Sequence, residues 1–204
     1  MRLLITRHPT TEYNEKKIFQ GKQHGSITEL GYKQIKKLIQ RLKKENITRI
    51  ISSDALRCKL TTEEISKEIN VPVEYTGFLD EIDYGEFTGK NVTEVDKTKL
   101  TGNSIEKIQY PNGESLMDIK QRGEKFFNQI IEKYKETQET ILIVSHEIFL
   151  QILIGNLLGM NIKNSRHKLI IDCCSLSKIK INKKYRSGYK LLLLNEIDFL
   201  KDLN

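Results

Sequence analysis

Residues 140–146 read Thr-Ile-Leu-Ile-Val-Ser-His. The apolar run Ile141–Val144 is too short for a helix and rich in β-branched side chains, so it predicts a strand buried on both faces. Such strands belong to parallel sheets covered by helices on either side. Upstream, Ser115 opens a long amphipathic helix carrying Leu116, Ile119, Phe126, Ile130 and Tyr134. Downstream, a helix over Ile148–Leu158 ends at Gly159. A second buried strand is expected at Arg2–Thr6, followed by a polar loop to about Ile27. Thr28 then caps a helix whose apolar face is Leu30, Ile35, Leu38, Ile39 and Leu42. Arg49–Ser52 reads as a strand. Ser53 or Asp54 caps a helix to about Asn70, stopped by Val71-Pro72, and Val73–Thr76 is a short strand.

Residues 77–113 are irregular, with one short helix expected within Asn91–Leu100, and read as a substrate-covering insertion. Cys173–Ile181 and Tyr189–Leu194 are two strands joined by a basic loop. The alternation predicts an α/β fold over 1–204 as one domain. Its form is a three-layer sandwich with a mostly parallel central sheet, helices on both faces and an antiparallel edge strand.

The 204 residues are 38% hydrophobic and 30% charged, which excludes disordered, collagenous and low-complexity classes. No apolar run approaches the roughly 20 residues of a membrane helix, and the N-terminus reads as a strand rather than a signal peptide. The odd cysteine set Cys58, Cys173 and Cys174 argues against a disulfide framework and for the cytoplasm. Finger spacing is absent, so no metal site is expected. The net charge of +7 is local: Lys163–Lys190 holds nine basic residues against the single acid Asp172. This segment reads as a solvated hairpin tip with at most a steering role for phosphate, and nucleic acid is not the expected partner.

In open α/β sheets ligands gather at the carboxyl ends of strands. Here those ends carry Arg7-His8, Ser52-Ser53-Asp54 with Arg57 close behind, and Ser145-His146. Two arginines and two histidines make a positive pocket suited to a phosphoryl group, because guanidinium forks bind phosphate oxygens bidentately. An imidazole kept neutral by nearby cations can serve as a nucleophile. No G-x-S-x-G elbow and no glycine-rich phosphate loop occurs.

These residues fall in an ordered set of motifs. Arg7-His8-Pro9-Thr10-Thr11-Glu12-Tyr13-Asn14 resembles R-H-G-x-T-x-x-N, and Gly21–Gly31 resembles G-x-x-D-x-P-L-T-x-x-G. Ser52–Arg57 with Thr61, Leu79–Gly89, Pro111–Ser115, Val144–His146 and Leu194-Asn195 match further elements in order. Over nearly the whole chain the sequence resembles the histidine phosphatase superfamily, with its phosphoglycerate-mutase-like fold. The resemblance implies that His8 is the nucleophile that becomes phosphohistidine. Arg7, Arg57 and His146 would hold the phosphoryl oxygens, and Glu81 would act as acid and then base. Asn14 would donate to phosphate. Gln20 and Gly21 are further candidate substrate-binding residues, and Lys22, in the loop after Gly21, reads either as a contact to a substrate's distal acid or as a solvated lysine. No cofactor is implied.

The chain departs from the pattern at Pro9, at Glu147, at His24 and Ser26, and at Phe199. Pro9 removes a backbone N–H, and Glu147 sits either as a favourable charge at a helix start or as a repulsion to anions. His24 and His167 read as surface or substrate-rim residues. The expected function is a metal-independent phosphomonoesterase acting on a small phosphorylated metabolite, with a homodimer as a possible assembly. One alternative is a cofactor-dependent phosphoglycerate mutase using the same site. Ile82-Asp83 stands where mutases carry R-H in an E-R-H-Y-G element, which tilts the choice to phosphatase. A second alternative is a non-catalytic binding protein using residues 163–190.

Overall fold

The computed structural model describes residues 1–203 apart from His24; Asn204 also falls outside the described residues, and the rim placement expected of His24 goes with it. The elements run β1 (Arg2–Arg7), α1 (Glu12–Glu15), α2 (Glu29–Leu42), β2 (Arg49–Ser52), α3 (Leu56–Ile69) and β3 (Val73–Tyr75). Four single 3-10 turns follow before α4 (Leu116–Tyr134), β4 (Thr140–Ser145), α5 (Glu147–Leu157) and α6 (Ile162–Lys168). The hairpin β5 (Leu176–Ile181) and β6 (Tyr189–Glu196) and a final 3-10 segment close the chain. One six-stranded sheet has the order β3-β2-β4-β1-β5-β6. β3, β2, β4 and β1 pair in parallel, and β5 is antiparallel to both β1 and β6.

The pleat sends alternate side chains to opposite layers. Leu3, Ile5, Ile51, Ile141 and Ile143 pack on the layer that holds α4 and α5. Leu4, Ile50, Leu142 and Val144 pack on the layer of α2 and α3. β4 is buried at every position, as its unbroken apolar run requires. Thr28 and Ser115 cap α2 and α4 as expected, Ser115 in a reciprocal capping box with Asp118.

Four expectations change. Neither Ser53 nor Asp54 is the cap of α3: the helix starts after Ala55 with no side-chain cap, because Ser53 turns its hydroxyl to Asp80 and His146. The helix expected within Asn91–Leu100 is one 3-10 turn, Lys97–Lys99. β5 begins at Leu176 rather than Cys173, because Cys174 takes a left-handed conformation (φ 55°) and donates its N–H to the Arg7 carbonyl. The polar loop before Ile27 contains α1, and α6 was not foreseen.

The two ends of the 77–113 segment are tied together. Glu86 N–H donates to the Pro111 carbonyl (2.9 Å) and Glu114 N–H to the Asp83 carbonyl (2.8 Å). A Cβ on Gly85 would lie 1.9 Å from the Pro111 oxygen, and Gly85 has φ +52°, so only glycine fits there. The basic segment is dispersed over α6, β5 and the hairpin tip, and Lys178 and Lys183 are ion-paired with Glu45 and Glu136. No helix of the described residues is long and apolar enough to cross a membrane.

Candidate active site

β2, β4 and β1 are neighbours in one parallel run, and their register pairs Arg7 with Ser145 and Ser52 with Val144. The residues that follow each strand therefore emerge side by side on one edge of the sheet. A cleft of about 500 Å3 opens there. Arg7, His8, Asn14, Gln20, Arg57, Glu81 and Glu147 line it, with Tyr84, Tyr110 and Arg166 among the rest.

His8 is 3% exposed. Its Nδ1 donates to the Pro9 carbonyl at 2.8 Å, since a carbonyl only accepts. The neutral ring therefore carries its lone pair on Nε2. Burial, and then the charges of Arg57 and Arg7, hold its pKa well below the ordinary histidine value. His8 is thus an unprotonated imidazole beside two guanidinium groups.

Those guanidiniums are held differently. Arg57 is buried on the first turn of α3 and donates to the carbonyls of Gly21 (2.8 Å) and Gln23 (3.2 Å) and to Nδ1 of His146 (2.7 Å). Arg7 donates to the Ile171 carbonyl (2.9 Å) and pairs with the Glu147 carboxylate at 2.8 Å. Glu147 is both a favourable charge in the first turn of α5 and an anion already seated on Arg7. A phosphoryl group that uses Arg7 competes with it.

His146 is fully buried, with its ring centroid 5.2 Å from that of His8, and it does not line the cleft. Its Nδ1 accepts from Arg57, and its Nε2 donates to the Ser53 hydroxyl at 2.8 Å. Ser53 donates onward to Asp80 Oδ1 (2.8 Å), and Asp80 Oδ2 lies 3.3 Å from Lys22 Nζ. Both ring nitrogens are occupied in this geometry, and the Nδ1 contact aligns the Arg57 guanidinium. Burial lowers its pKa well below normal, with Arg57 adding to the shift. Cys58 Sγ sits 3.6 Å from Nε2, and burial pushes this thiol up to about 12, so it is a neutral filler.

Glu81 reaches the cleft from the start of the 77–113 segment. Its Oε1 accepts from the N–H groups of Ile82 (3.0 Å) and Phe149 (3.1 Å), and its Oε2 from that of Ile148 (3.2 Å). It therefore serves as the cap of α5, whose own N-cap residue His146 supplies no side-chain bond. A carboxylate offers about four acceptor sites. Oε1 is filled and Oε2 keeps one free position for a proton.

A histidine with a free Nε2, two guanidiniums and the Glu81 carboxylate at the edge of this sheet have a counterpart among known families. The model of the histidine phosphatase superfamily, branch 1, matches residues 3–196. The chain belongs to that superfamily. This histidine phosphatase is 29% identical over 167 residues to phosphoserine phosphatase 1 of Hydrogenobacter thermophilus, covering 79% of this chain and 78% of the other. It is 26% identical over 212 residues to a probable phosphoglycerate mutase of Proteus mirabilis, covering 100% and 96%. Its fold superposes on the alpha-ribazole phosphatase of Shigella flexneri with a TM-score of 0.86 at 26% identity over 96% of each chain.

The expected substrate-binding residues of this histidine phosphatase divide. Asn14 and Gln20 line the cleft. Asn14 Oδ1 caps α1 by accepting from Thr11, which leaves its amide N–H groups without a protein partner among the described residues. Gln20 Nε2 is also buried and unpartnered among them. Gly21 and Lys22 do not line the cleft: Gly21 turns its carbonyl to Arg57, and Lys22 lies in a neighbouring hollow against Asp80. Sequence reasoning missed Arg122. From α4 it donates to the carbonyls of Phe78 (3.0 Å) and Asp80 (2.8 Å) and pairs with Glu114 at 3.0 Å, pinning the loop that carries Glu81. It also missed Tyr110 and Arg166, which were absorbed into an irregular segment and a basic tract.

Proposed function

We propose that this histidine phosphatase is a metal-independent phosphomonoesterase that works through a phosphohistidine on His8. The observation that carries the reading is the His8 ring: neutral, fixed by Pro9, with its Nε2 lone pair at a cleft lined by Arg7 and Arg57. His8 Nε2 attacks phosphorus, the P–O ester bond breaks, and Glu81 Oε2 delivers its proton to the leaving oxygen. Water then attacks the phosphohistidine, Glu81 takes the water proton, and the P–N bond breaks to release inorganic phosphate. One carboxyl serves both halves because the leaving oxygen and the incoming water occupy the same side of phosphorus. Arg7 and Arg57 supply charge stabilisation for the phosphoryl oxygens, and Asn14 a neutral donor. His146 acts through Arg57. The 77–113 segment covers the substrate, consistent with Glu81, Tyr84 and Tyr110 facing the cleft. Three free cysteines support a reducing, cytoplasmic setting.

Full-length similarity to a probable phosphoglycerate mutase favours a second reading, a mutase on the same site. Against it, Ile82 is buried in the core and Asp83 turns its carboxylate to the Gly85 N–H, so neither position gives the cleft a cation. The test is phosphate release from p-nitrophenyl phosphate and a panel of metabolite monoesters in EDTA. Turnover supports the phosphatase. Phosphoglycerate interconversion that depends on 2,3-bisphosphoglycerate, without net phosphate release, establishes the mutase instead.

A further inference from the structure

Among the described residues, two guanidinium groups on the cleft have no carboxylate partner, Arg57 and Arg166. Among the half-buried arginines outside the cleft, Arg41, Arg49 and Arg122 are paired with Glu45, Glu139 and Glu114, while Arg2 is held by the Thr140 hydroxyl. Arg57 faces the phosphoryl position beside His8. Arg166 stands on α6 and donates to the side-chain oxygen of Gln151. Gln151 is buried on α5, and its Nε2 donates to the Leu169 carbonyl at 2.7 Å, which fixes the amide with its oxygen toward Arg166. A neutral amide held at both ends keeps the guanidinium in place without cancelling its charge. Preorganised, uncompensated charge is the requirement of an anion site.

The wall around Arg166 has the same character. Tyr84 and Tyr110 pack edge to face at 5.0 Å, and both line the cleft. Neither hydroxyl has a protein partner among the described residues. Burial raises the pKa of both phenols, with Arg166 opposing the rise, so they are neutral O–H donors close to its charge. A volume of about 500 Å3 suits a whole metabolite rather than a phosphoryl group alone.

We propose that Arg166, with the hydroxyls of Tyr84 and Tyr110, forms a second anion subsite that binds a carboxylate or second phosphate at the far end of the substrate. The inference rests on the phosphatase reading and narrows it: the favoured substrates are acidic phosphomonoesters, not those with neutral bodies. Because the far anion is held equally before and during phosphoryl transfer, the subsite acts mainly on KM.

The experiment compares kcat/KM for 3-phosphoglycerate, fructose 1,6-bisphosphate and glycerol 3-phosphate in wild type, Arg166→Gln, Arg166→Lys and Gln151→Leu. The readout is the ratio of each acidic substrate to glycerol 3-phosphate. Arg166→Gln lowers the ratio by about 10–100-fold, the weight of a charged hydrogen-bonded contact, mostly through KM. Arg166→Lys recovers part of the loss, and Gln151→Leu lowers the ratio without removing the charge. Whichever acidic substrate loses more identifies the anion the subsite takes. A ratio unchanged within about twofold in Arg166→Gln overturns the subsite while leaving the phosphatase standing. Absence of wild-type turnover on all three and on p-nitrophenyl phosphate overturns the phosphatase reading instead. Calorimetric binding of 3-phosphoglycerate against glycerol 3-phosphate then reads the subsite directly: a preference lost in Arg166→Gln supports it, and no preference overturns it.

Discussion

The carboxyl edge of the sheet and the wall of the cleft beside it meet around one ligand-sized space, yet they are held by different means. At the edge, His8, Ser53 and His146 each follow a buried parallel strand by one residue, and the register of β2, β4 and β1 fixes their spacing. On the wall, Tyr84 and Tyr110 come from a segment of single 3-10 turns and Arg166 from a seven-residue helix. They are set by side-chain pairs and by the closure of Gly85 on Pro111. The edge cannot shift without breaking the sheet, whereas the wall can change one side chain at a time. On the proposed reading, chemistry belongs to the edge and selectivity to the wall. Glu81 is the join: it belongs to the irregular segment but is locked onto α5.

That division can be broken by mutation. Glu81→Gln, which keeps the shape and removes the exchangeable acid, lowers kcat by about 10²–10⁴-fold while KM changes little. Arg57→Gln removes an edge guanidinium and lowers kcat by roughly 10²–10³-fold. Steady-state kinetics on p-nitrophenyl phosphate read both. If Arg166→Gln reduced kcat as severely as Arg57→Gln, the separation of edge from wall would be wrong.

A third test uses pH. Unfolded histidine titrates near 6.5, and folded His8 and His146 lie well below it. Between those values the unfolded chain binds more protons, so stability falls as pH drops below about 6.5. Each histidine contributes at most about 1.4 kcal/mol per pH unit. The urea midpoint is expected to drop between pH 7.5 and 5.5, with a shallower drop in His8→Gln. A midpoint that rises toward acid pH contradicts the buried neutral pair. The smallest effect belongs to Glu147→Gln, which frees Arg7 from a half-exposed carboxylate. KM and the inhibition constant of inorganic phosphate should each fall about 2–5-fold. A rise in KM would mean that Glu147 holds Arg7 ready rather than competing for it.

The edge was also the legible part of the sequence. β2 and β4 extend only one residue beyond their apolar runs at each end, because a strand buried on both faces has little choice of boundary. Arg7, His8, Arg57 and Glu81 come together as the motifs imply. The wall was opaque for physical reasons. α6 has a low apolar content and its Asn161 cap was the one local signal for it, so Arg166 merged into a tract of lysines. The role of His146 was hidden because its two partners, Arg57 and Ser53, lie 89 and 93 residues away in the chain. Nothing in its own neighbourhood announces that both nitrogens are taken. Lys22 and Gly21 sat in a matching motif but turn to Asp80 and Arg57, a matter of side-chain and carbonyl direction that spacing does not encode.

The central claim is that His8 Nε2 becomes covalently phosphorylated. Rapid acid-free quench of the wild-type enzyme with radiolabelled p-nitrophenyl-phosphate-type substrate, followed by peptide mapping, reads it directly. The account predicts an alkali-stable, acid-labile phosphoryl group on the peptide containing His8, absent in His8→Ala together with turnover. Full turnover by His8→Ala, or label on another residue, would contradict it.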